Sequence, residues 1–445
     1  MSHHVFYPTT NLKKPEQLTI ERGEGVYVYD TSGKRYLEGL AGLWCTALGY
    51  GNEEVVETAR EQMKTLPYTH LFSGKTHPQA MALADKLAER VPVDNARVFF
   101  GSSGSDANDT IVKMMRYYHN VIGKPERYKI ITRERAYHGV TVASGSLTSL
   151  PMNLAHFDPP LEALGILRTD HPHYYHGAEP GESEADFVER IVGNLEALIL
   201  REGPETIAAF LAEPVTGASG VIVPPASYYE KVQAVLDKYG IFFWADEVIT
   251  GWGRTGNEFG CTTMNIEQPA LMTFAKQLSS AYFPISAAVV RGDIHDAMIE
   301  PSNQVGAFGH GYTYSGHPVG CAVALKVLEI YERDNLYTHA ADVGAYFQKR
   351  LREFRDHPLV GEVRGVGLIA AVELDPDDDS MNTGNLGQHA FLRCQENGLI
   401  VRVVAGDSLA VCPPLIISRE QVDEIVHMMA RALDETLDYA VNHRS

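Results

Sequence analysis

The sequence predicts an α/β protein with a mostly parallel central sheet and a second, smaller α+β domain. Between residues 96 and 274, short apolar runs alternate with segments of helical period, which is typical of a parallel sheet covered by helices. Five runs are predicted strands: ARVFF, KIIT, IAAFLAEP, IFFWADEV and LMTFA. The 445 residues predict more than one domain, because domains usually hold roughly 100 to 200 residues.

Local signals predict where several helices begin and end. The segment SYYE at residues 227–230 fits a capping box, which predicts a helix that stops at Gly240. Further on, the pattern changes to two long helices, over about residues 321–335 and 341–354, followed by short strands within EVRGVGLIAAVEL, IVRVV and LAV. A last helix opens at Ser418, where SREQ is a second capping-box match. These later elements form the predicted smaller domain.

Composition and charge exclude several classes of protein. The chain has 38 Lys and Arg against 57 Asp and Glu, a formal charge of −19, and no run rich in Lys or Arg. We therefore expect no nucleic-acid partner. Five widely spaced cysteines without a CxxC pair indicate a reducing, cytoplasmic setting. The first residues lack a cationic segment followed by an apolar one, and no stretch approaches about 18 consecutive apolar residues, so we expect neither secretion nor a membrane partner.

The segment GSSGSDANDT lies between a predicted strand and a predicted helix. A loop of small residues lets backbone N–H groups converge on an anion, and the helix N-terminus adds positive potential. Gly104 and Ser105 are therefore candidates for holding a phosphate. The alternative is a tight turn with an N-cap serine. Because the Gly-Lys-Ser/Thr of a nucleotide P-loop is missing, a single cofactor phosphate fits better than a triphosphate.

Two charged side chains follow predicted strands. Asp246 lies near the end of IFFWADEV, and ligands of open α/β sheets collect at the carboxyl ends of strands. Lys276 follows LMTFA. Removal of a lysine from water lowers the pKa of its amine, which then becomes a nucleophile able to form a Schiff base. The alternatives are a structural aspartate and a solvent-facing lysine. Together, an anion loop, a carboxylate and a lysine are the groups that pyridoxal phosphate requires.

Seven segments, in order, resemble the class III aminotransferases, the omega-amino-acid:pyruvate branch especially. They are GSSGSDAND, AYHG, AEPVTGASGVIVPP, ADEVITGWGRTG, the FAK lysine, GYTYSGHPVG and RGVGL, and the resemblance runs from about Gly39 to the C-terminus. It implies a pyridoxal-phosphate-dependent transferase of fold type I. The large domain would cover residues 60–322, and the small domain residues 1–59 and 323–445. The resemblance also implies a homodimer with shared active sites, with a tetramer left open.

The resemblance implies roles for individual residues around the cofactor. Lys276 would join the cofactor as an imine and then move the substrate proton, and Asp246 would pair with the pyridine nitrogen. The other expected contacts are Tyr137 and Val248 on the two ring faces, Glu213 beside the cofactor, and Thr313 on the phosphate of the neighbouring subunit's cofactor. Ordinary core packing, an acidic turn residue and a loop threonine are the alternatives for these four positions.

The resemblance also implies a substrate pocket. Arg402 in IVRVVAGD would grip the carboxylate of a keto acid and swing out for uncharged amines, while Trp44 and Phe72 would form aromatic walls. A surface salt bridge is the alternative for Arg402. The expected reaction is ping-pong transfer of an amino group from a primary amine or omega-amino acid to a keto acid, with pyruvate as the expected acceptor. Alternatives are a 4-aminobutyrate, diamine or taurine aminotransferase, a related decarboxylase or aminomutase, and a non-transaminating relative that binds the same cofactor.

Two features depart from a simple match. Gln277, Ala281 and Ser286 stand where many relatives have glycine, which predicts a less permissive backbone after the lysine. The segment HPHYYH at residues 171–176 brings three imidazoles together in the manner of a metal site. Since no carboxylate or thiolate follows it at a fixed spacing, we expect no metal there.

Overall fold

The structure is a computed structural model that describes residues 4–13, 18–381 and 384–443. Its strands are β1 (Ile20–Glu24), β2 (Tyr27–Asp30), β3 (Arg35–Glu38), β4 (Arg97–Gly101), β5 (Lys129–Arg133), β6 (Ile166–Thr169), β7 (Ile207–Ala212), β8 (Phe242–Asp246), β9 (Leu271–Phe274), β10 (Ser286–Val290), β11 (Val360–Val366), β12 (Ile369–Leu374), β13 (Leu399–Ile400), β14 (Arg402–Val404) and β15 (Ser408–Val411). Its α-helices are α1 (Ala41–Trp44), α2 (Glu53–Thr65), α3 (Pro78–Arg90), α4 (Gly104–Val121), α5 (Val142–Leu147), α6 (Pro151–Leu154), α7 (Leu161–Leu164), α8 (Tyr174–Gly177), α9 (Glu184–Glu202), α10 (Tyr228–Tyr239), α11 (Gly260–Thr263), α12 (Gly292–Val305), α13 (Pro318–Arg333), α14 (Leu336–Leu351), α15 (Leu386–Glu396) and α16 (Arg419–Asn442).

Seven strands form the central sheet, in the order β4-β10-β9-β8-β7-β5-β6. Neighbours from β9 to β6 are parallel, whereas β10 runs antiparallel to both β4 and β9. The mostly parallel sheet and all five predicted strands are thus confirmed. The strands β6 and β10 were not among those predicted from the sequence. In the edge strand β6 the two end residues are buried but the two middle ones are only half-buried, and β10 begins with small residues, so neither stands out as an apolar run.

Helices cover both faces of this sheet because side chains alternate along each strand. In β8, Trp244 belongs to one apolar core cluster, whereas Phe243 and Ala245 belong to another. The predicted apolar face of α4 packs in the first cluster through Ile111 and Met115, and α9 and α10 pack in the second. The helices therefore bury the sheet from two sides and leave its strand ends as the place for polar groups.

Two four-stranded sheets accompany the central one. Their orders are β1-β2-β3-β13 and β11-β12-β15-β14. In the first sheet, β13 pairs in parallel with β3, which joins the region after residue 398 to the region before residue 39. The second sheet is antiparallel and includes the β14–β15 hairpin, which carries Arg402. The domain boundaries at residues 60 and 322 stay a prediction.

Of the two predicted capping boxes, one is confirmed and one is wrong. At the start of α16, the Ser418 hydroxyl accepts from the N–H of Gln421 at 3.2 Å, and the Gln421 side chain accepts from the N–H of Ser418 at 3.0 Å. Ser227 makes no such bond because its backbone is already helical. The chain enters α10 through a turn in which the Tyr228 N–H donates to the Pro225 carbonyl. Gly240 ends α10 in the left-handed region, as predicted.

The longest described helix, α16, spans 24 residues and packs one face against the core. Val422, Ile425 and Met429 are buried, at the spacing of an amphipathic helix. Neither α16 nor any other described helix combines the length and apolar character needed to cross a membrane.

Replacing Ser418 by alanine should lower the free energy of unfolding by about 1 kcal/mol, because the cap of α16 is lost. The matched Ser227→Ala change should alter it by less than about 0.5 kcal/mol, since that side chain caps no helix. Urea unfolding of both variants measures the difference. Equal losses in the two variants would contradict the assignment of the caps.

Candidate active site

A cavity of about 370 Å³ opens at the edge of the central sheet where the parallel strands end. Its walls come from the loops that follow β4, β5, β7, β8 and β9, and from the segment before β10. The sequence-predicted residues among its lining are Gly104, Ser105, Tyr137, Glu213, Asp246, Val248 and Lys276. The strand-end rule used in the sequence analysis thus brings these seven residues together.

The wall after β4 is the N-terminus of α4. The first N–H groups of any helix lack an intrahelical acceptor, so those of Gly104 and Ser105 are available to an anion. Ser103 is the N-cap, and the Asp106 carboxylate accepts from the N–H groups of Ser102 and Ser103. A Cβ on Gly104 would lie 3.1 Å from a methyl group of Val248, so a side chain there would crowd the cavity wall.

Asp246 ends β8 and is almost fully buried. One carboxylate oxygen accepts from His138 Nδ1 at 2.7 Å and from Asn108 Nδ2 at 3.2 Å. The other accepts from the Val248 N–H at 3.1 Å. Asn108 is fixed in turn by Thr273, whose hydroxyl donates to it at 2.8 Å.

Sequence reasoning missed His138 and Asn108. Each lies in a segment that was singled out, AYHG and GSSGSDANDT, but only the fold shows that both point to Asp246. The Nε2 atom of His138 is buried and has no hydrogen-bond partner among the described residues. These two side chains orient the carboxylate toward the cavity.

Lys276 follows β9 and is partly buried, with its amine beside the cavity. The amine makes no hydrogen bond or ion pair with any described residue, and it lies 5.8 Å from the centre of the Trp44 ring. Removal from water lowers the pKa of Lys276, while Cys45, Asp246 and Glu213 oppose that shift. The backbone φ of Lys276 is 42°, a left-handed conformation that costs a residue other than glycine about 1–3 kcal/mol.

Glu213 follows β7 and is buried beside Tyr137. Its carboxylate accepts from the N–H of Tyr137 at 3.1 Å and from the N–H of Gly217 at 2.9 Å. Burial raises the pKa of Glu213. The carboxylate therefore holds two loops of the cavity in place.

The Arg402 guanidinium lies 5.1 Å from the centre of the Trp44 ring. It makes no ion pair with any described carboxylate, so the surface salt bridge considered as its alternative is absent from the described residues. Burial lowers the pKa of Arg402, and Tyr137 opposes that shift. Trp44 itself is buried, and its ring is close to both Arg402 and Lys276.

Four predicted site residues do not line this cavity, namely Trp44, Arg402, Phe72 and Thr313. Phe72 and Thr313 are exposed, and neither lines it. The Thr313 carbonyl accepts from the Tyr68 hydroxyl at 2.8 Å, and the Phe72 ring lies against Gly311. The two residues therefore share a surface region of the chain.

The three departures from the family pattern have structural roles. The Gln277 side chain is fully buried, accepts from Arg254 at 3.0 Å and donates to the carbonyls of Ile249 and Gly251. Ser286 donates to Asp106 at 3.0 Å and so supports the cap of α4. Ala281 lines the cavity with a φ of 62°. Gln277 and Ser286 hold the cavity loops through hydrogen bonds, and Ala281 keeps a conformation that favours glycine.

Comparisons with known proteins identify the family. The model of the family described as "Aminotransferase class-III" matches residues 9–433. The chain belongs to the class III aminotransferases. Its fold is therefore fold type I, and its cofactor is pyridoxal phosphate, as the sequence analysis expected.

Relatives of this aminotransferase include enzymes from plants and bacteria. "Gamma aminobutyrate transaminase 1, mitochondrial" of Solanum lycopersicum is 47% identical over 95% of this chain and 82% of its own length. "Vanillin aminotransferase" of Capsicum annuum is 44% identical over 98% of this chain and 96% of its own. A solved structure of the omega transaminase from Pseudomonas jessenii in complex with PMP is 49% identical, covers 98% of this chain and 97% of its own, and superposes with a TM-score of 0.95.

The cavity residues of the aminotransferase fit pyridoxal phosphate by their chemistry. A phosphate can use the N–H groups at the α4 N-terminus, where Gly104 leaves room. A protonated ring nitrogen can pair with the buried Asp246 carboxylate, and an aldehyde needs an amine without another partner, as Lys276 has among the described residues.

In the cofactor-free protein, Lys276 should react with an acylating reagent at a lower pH than the same lysine in the urea-unfolded chain, because burial lowers its pKa. Asp246→Asn should move the labelling midpoint lower still, since it removes a negative charge that stabilises the ammonium. Mass spectrometry of the labelled peptide across a pH series measures both midpoints. A native midpoint at or above the unfolded value would contradict the burial argument.

Proposed function

We propose that this aminotransferase moves an amino group from a primary amine or omega-amino acid to a keto acid, with pyruvate as the expected acceptor, in two half-reactions on one cofactor. The observation that carries the proposal is the pair of cations at Trp44. The Lys276 amine and the Arg402 guanidinium lie on the same indole, and neither has a partner carboxylate among the described residues. The Lys276 amine suits a role at the reacting carbon of the substrate, and the Arg402 guanidinium suits a contact with a substrate carboxylate.

Lys276 and Asp246 would carry the proton transfers. Pyridoxal phosphate, when bound, supplies an aldehyde for a substrate amine and a ring that takes up electrons from an ionised C–H bond. Lys276 Nζ, with its lowered pKa, would accept the substrate proton and return it. Asp246, fixed by His138 and Asn108, would keep a proton on the ring nitrogen. Both roles require Lys276 and Asp246 to stay in the positions that the ends of β9 and β8 give them.

The remaining lining residues would hold and orient the cofactor. Gly104 and Ser105 would donate N–H groups to its phosphate, and Tyr137 and Val248 would pack on the ring faces. Glu213 would keep the Tyr137 loop in position through its hydrogen bond to the Tyr137 N–H. These assignments follow from the lining of one cavity and from the motifs in which the residues lie.

Arg402 would select substrates by their carboxylates. A guanidinium offers two parallel N–H donors to a carboxylate, and Trp44 supplies an apolar surface for an uncharged substituent. Arg402 does not line the cavity, but its guanidinium shares the Trp44 ring with Lys276, and no described lining residue is an arginine, so Arg402 is the candidate for this contact. The second candidate function is amino transfer from 4-aminobutyrate. It is supported by the relatives named for gamma-aminobutyrate, and this donor also carries a carboxylate.

A homodimer is part of the proposal. Phe72, Thr313 and Tyr314 lie on one exposed region, and Tyr314 is 61% exposed. Exposed aromatic groups of this kind suit a protein interface, which would bring Phe72 and Thr313 to the neighbouring subunit's cavity. Sedimentation equilibrium distinguishes dimer from tetramer, and a monomer with full cofactor occupancy would contradict shared sites.

The cytoplasmic setting also stays a proposal. All five cysteines are free thiols, and four of them are buried. Free thiols agree with a reducing compartment. Fractionation of the source cells with an activity assay tests it, and activity confined to an organelle would contradict it.

Arg402→Ala should raise KM for pyruvate about 10- to 100-fold, the value of a lost charge-assisted hydrogen bond. KM for a primary amine without a carboxylate, such as benzylamine, should stay within about twofold. Steady-state kinetics with both substrates varied measure the two values, with Arg22→Ala on the exposed β1 as the control. Equal losses for the amine and for pyruvate would contradict the proposed contact.

A further inference from the structure

The histidine segment at residues 171–176 takes part in a partly buried ionic network, which we call the Arg364 cluster. Its members are Arg364, Glu362, Glu373, His173 and His176. Arg364 donates to both glutamates, at 2.6 Å for Glu362. His173 Nε2 lies 2.9 Å from Glu362, and His176 Nε2 lies 2.5 Å from Glu373. The fold thus supplies the carboxylates that the local sequence around the histidines lacks.

The Arg364 cluster contacts the hairpin that carries Arg402. Arg364 Nη2 donates to the hydroxyl of Ser408 at 2.9 Å, and that hydroxyl donates to Glu373 at 3.2 Å. Ser408 begins β15 and pairs with Val404 on the same strand as Arg402. A Cβ on Gly406 would lie 2.9 Å from the Glu373 carboxylate, so the hairpin loop lies directly against it.

The same guanidinium also contacts the loop that follows Glu213. Arg364 Nε donates to the Gly220 carbonyl at 2.7 Å. Gly217, three residues earlier, donates its N–H to the Glu213 carboxylate at 2.9 Å. Arg364 therefore joins the Arg402 hairpin to a cavity loop without lining the cavity itself.

Charge balance favours a fixed structure over a metal site. The side chains of Arg364 and Glu373 are 7% and 3% exposed. Burial alone raises the pKa of Glu373, but the hydrogen bond from His176 and the charge of Arg364 outweigh it and lower the pKa to about 2. Ligand atoms of His173, Glu362 and Glu373 lie within 4.8 Å of one another, yet Arg364 already gives both carboxylates a cationic partner.

We propose that Arg364 and Glu373 are positioning residues that fix the Arg402 hairpin relative to the cavity and so set the affinity for the keto-acid carboxylate. This inference rests on the proposed role of Arg402. The guanidinium, the carboxylate and the Ser408 hydroxyl form a closed set of hydrogen bonds, and the loss of one member frees the hairpin to move.

Ser408→Ala and Glu373→Gln test the proposal with little change in volume, because Ser408→Ala removes both hydrogen bonds of the hydroxyl and Glu373→Gln removes the carboxylate charge that pairs with Arg364. KM for pyruvate should rise about 3- to 30-fold, while KM for benzylamine stays within about twofold. Hydrogen–deuterium exchange over residues 402–411 should become faster in both variants. Glu362→Gln is the matched control, because it removes a charge from the cluster but not a bond to Ser408, and it should leave exchange of the hairpin unchanged.

A second arm separates this inference from the proposed function. In an Arg402→Ala background, Ser408→Ala should add no further rise in KM for pyruvate. If Arg402→Ala acts on pyruvate but Ser408→Ala and Glu373→Gln match the unaltered enzyme, the inference is overturned and the proposed function stands. Equal rises for pyruvate and benzylamine, or faster hairpin exchange in Glu362→Gln, would overturn it as well. Since Ser408→Ala removes only a hydroxyl, it keeps the test decisive if Glu373→Gln does not fold.

Discussion

The buried carboxylate of Asp246 is the constraint on which the rest of the site depends. A carboxylate taken out of water needs donors on every side, and three come from different parts of the chain: His138, Asn108 and the Val248 N–H. Asn108 lies on α4, which follows β4, and His138 lies in the loop after β5. The hydrogen bonds to the Asp246 carboxylate therefore hold the ends of β4, β5 and β8 in register with one another. A cofactor with a protonated ring nitrogen would meet this carboxylate already oriented.

The strained backbone at Lys276 depends on a second set of contacts. A lysine keeps a left-handed backbone conformation only where the surrounding structure holds it in place. Gln277 supplies this through hydrogen bonds to Ile249, Gly251 and Arg254, and Arg254 donates in turn to the carbonyls of Leu368 and Pro413. The sequence flagged Gln277 as a departure that could alter the pocket, whereas in the fold it anchors the lysine loop.

Local sequence patterns predicted the residues whose positions depend on a single strand or helix. The positions of the other site residues depend on tertiary contacts. Asp246 and Lys276 could be found because strand ends in a parallel sheet converge. His138 and Asn108 could not, because only the folded chain brings them to Asp246. Ser227 matched a cap motif, but its backbone is already helical, and the Tyr228 N–H donates to the Pro225 carbonyl in the preceding turn. Phe72 and Thr313 lie on the surface away from the cavity, so the roles predicted for them would require the neighbouring subunit of the proposed homodimer.

We propose that Lys276 holds the cofactor covalently, and chemical trapping tests this proposal most directly. Borohydride reduction of the purified holoenzyme, followed by peptide mapping, should place a stable cofactor mass on the peptide that contains Lys276. The Lys276→Ala variant, treated in the same way, should give no such peptide. A tag on a different lysine, or none in fully reconstituted enzyme, would contradict the account.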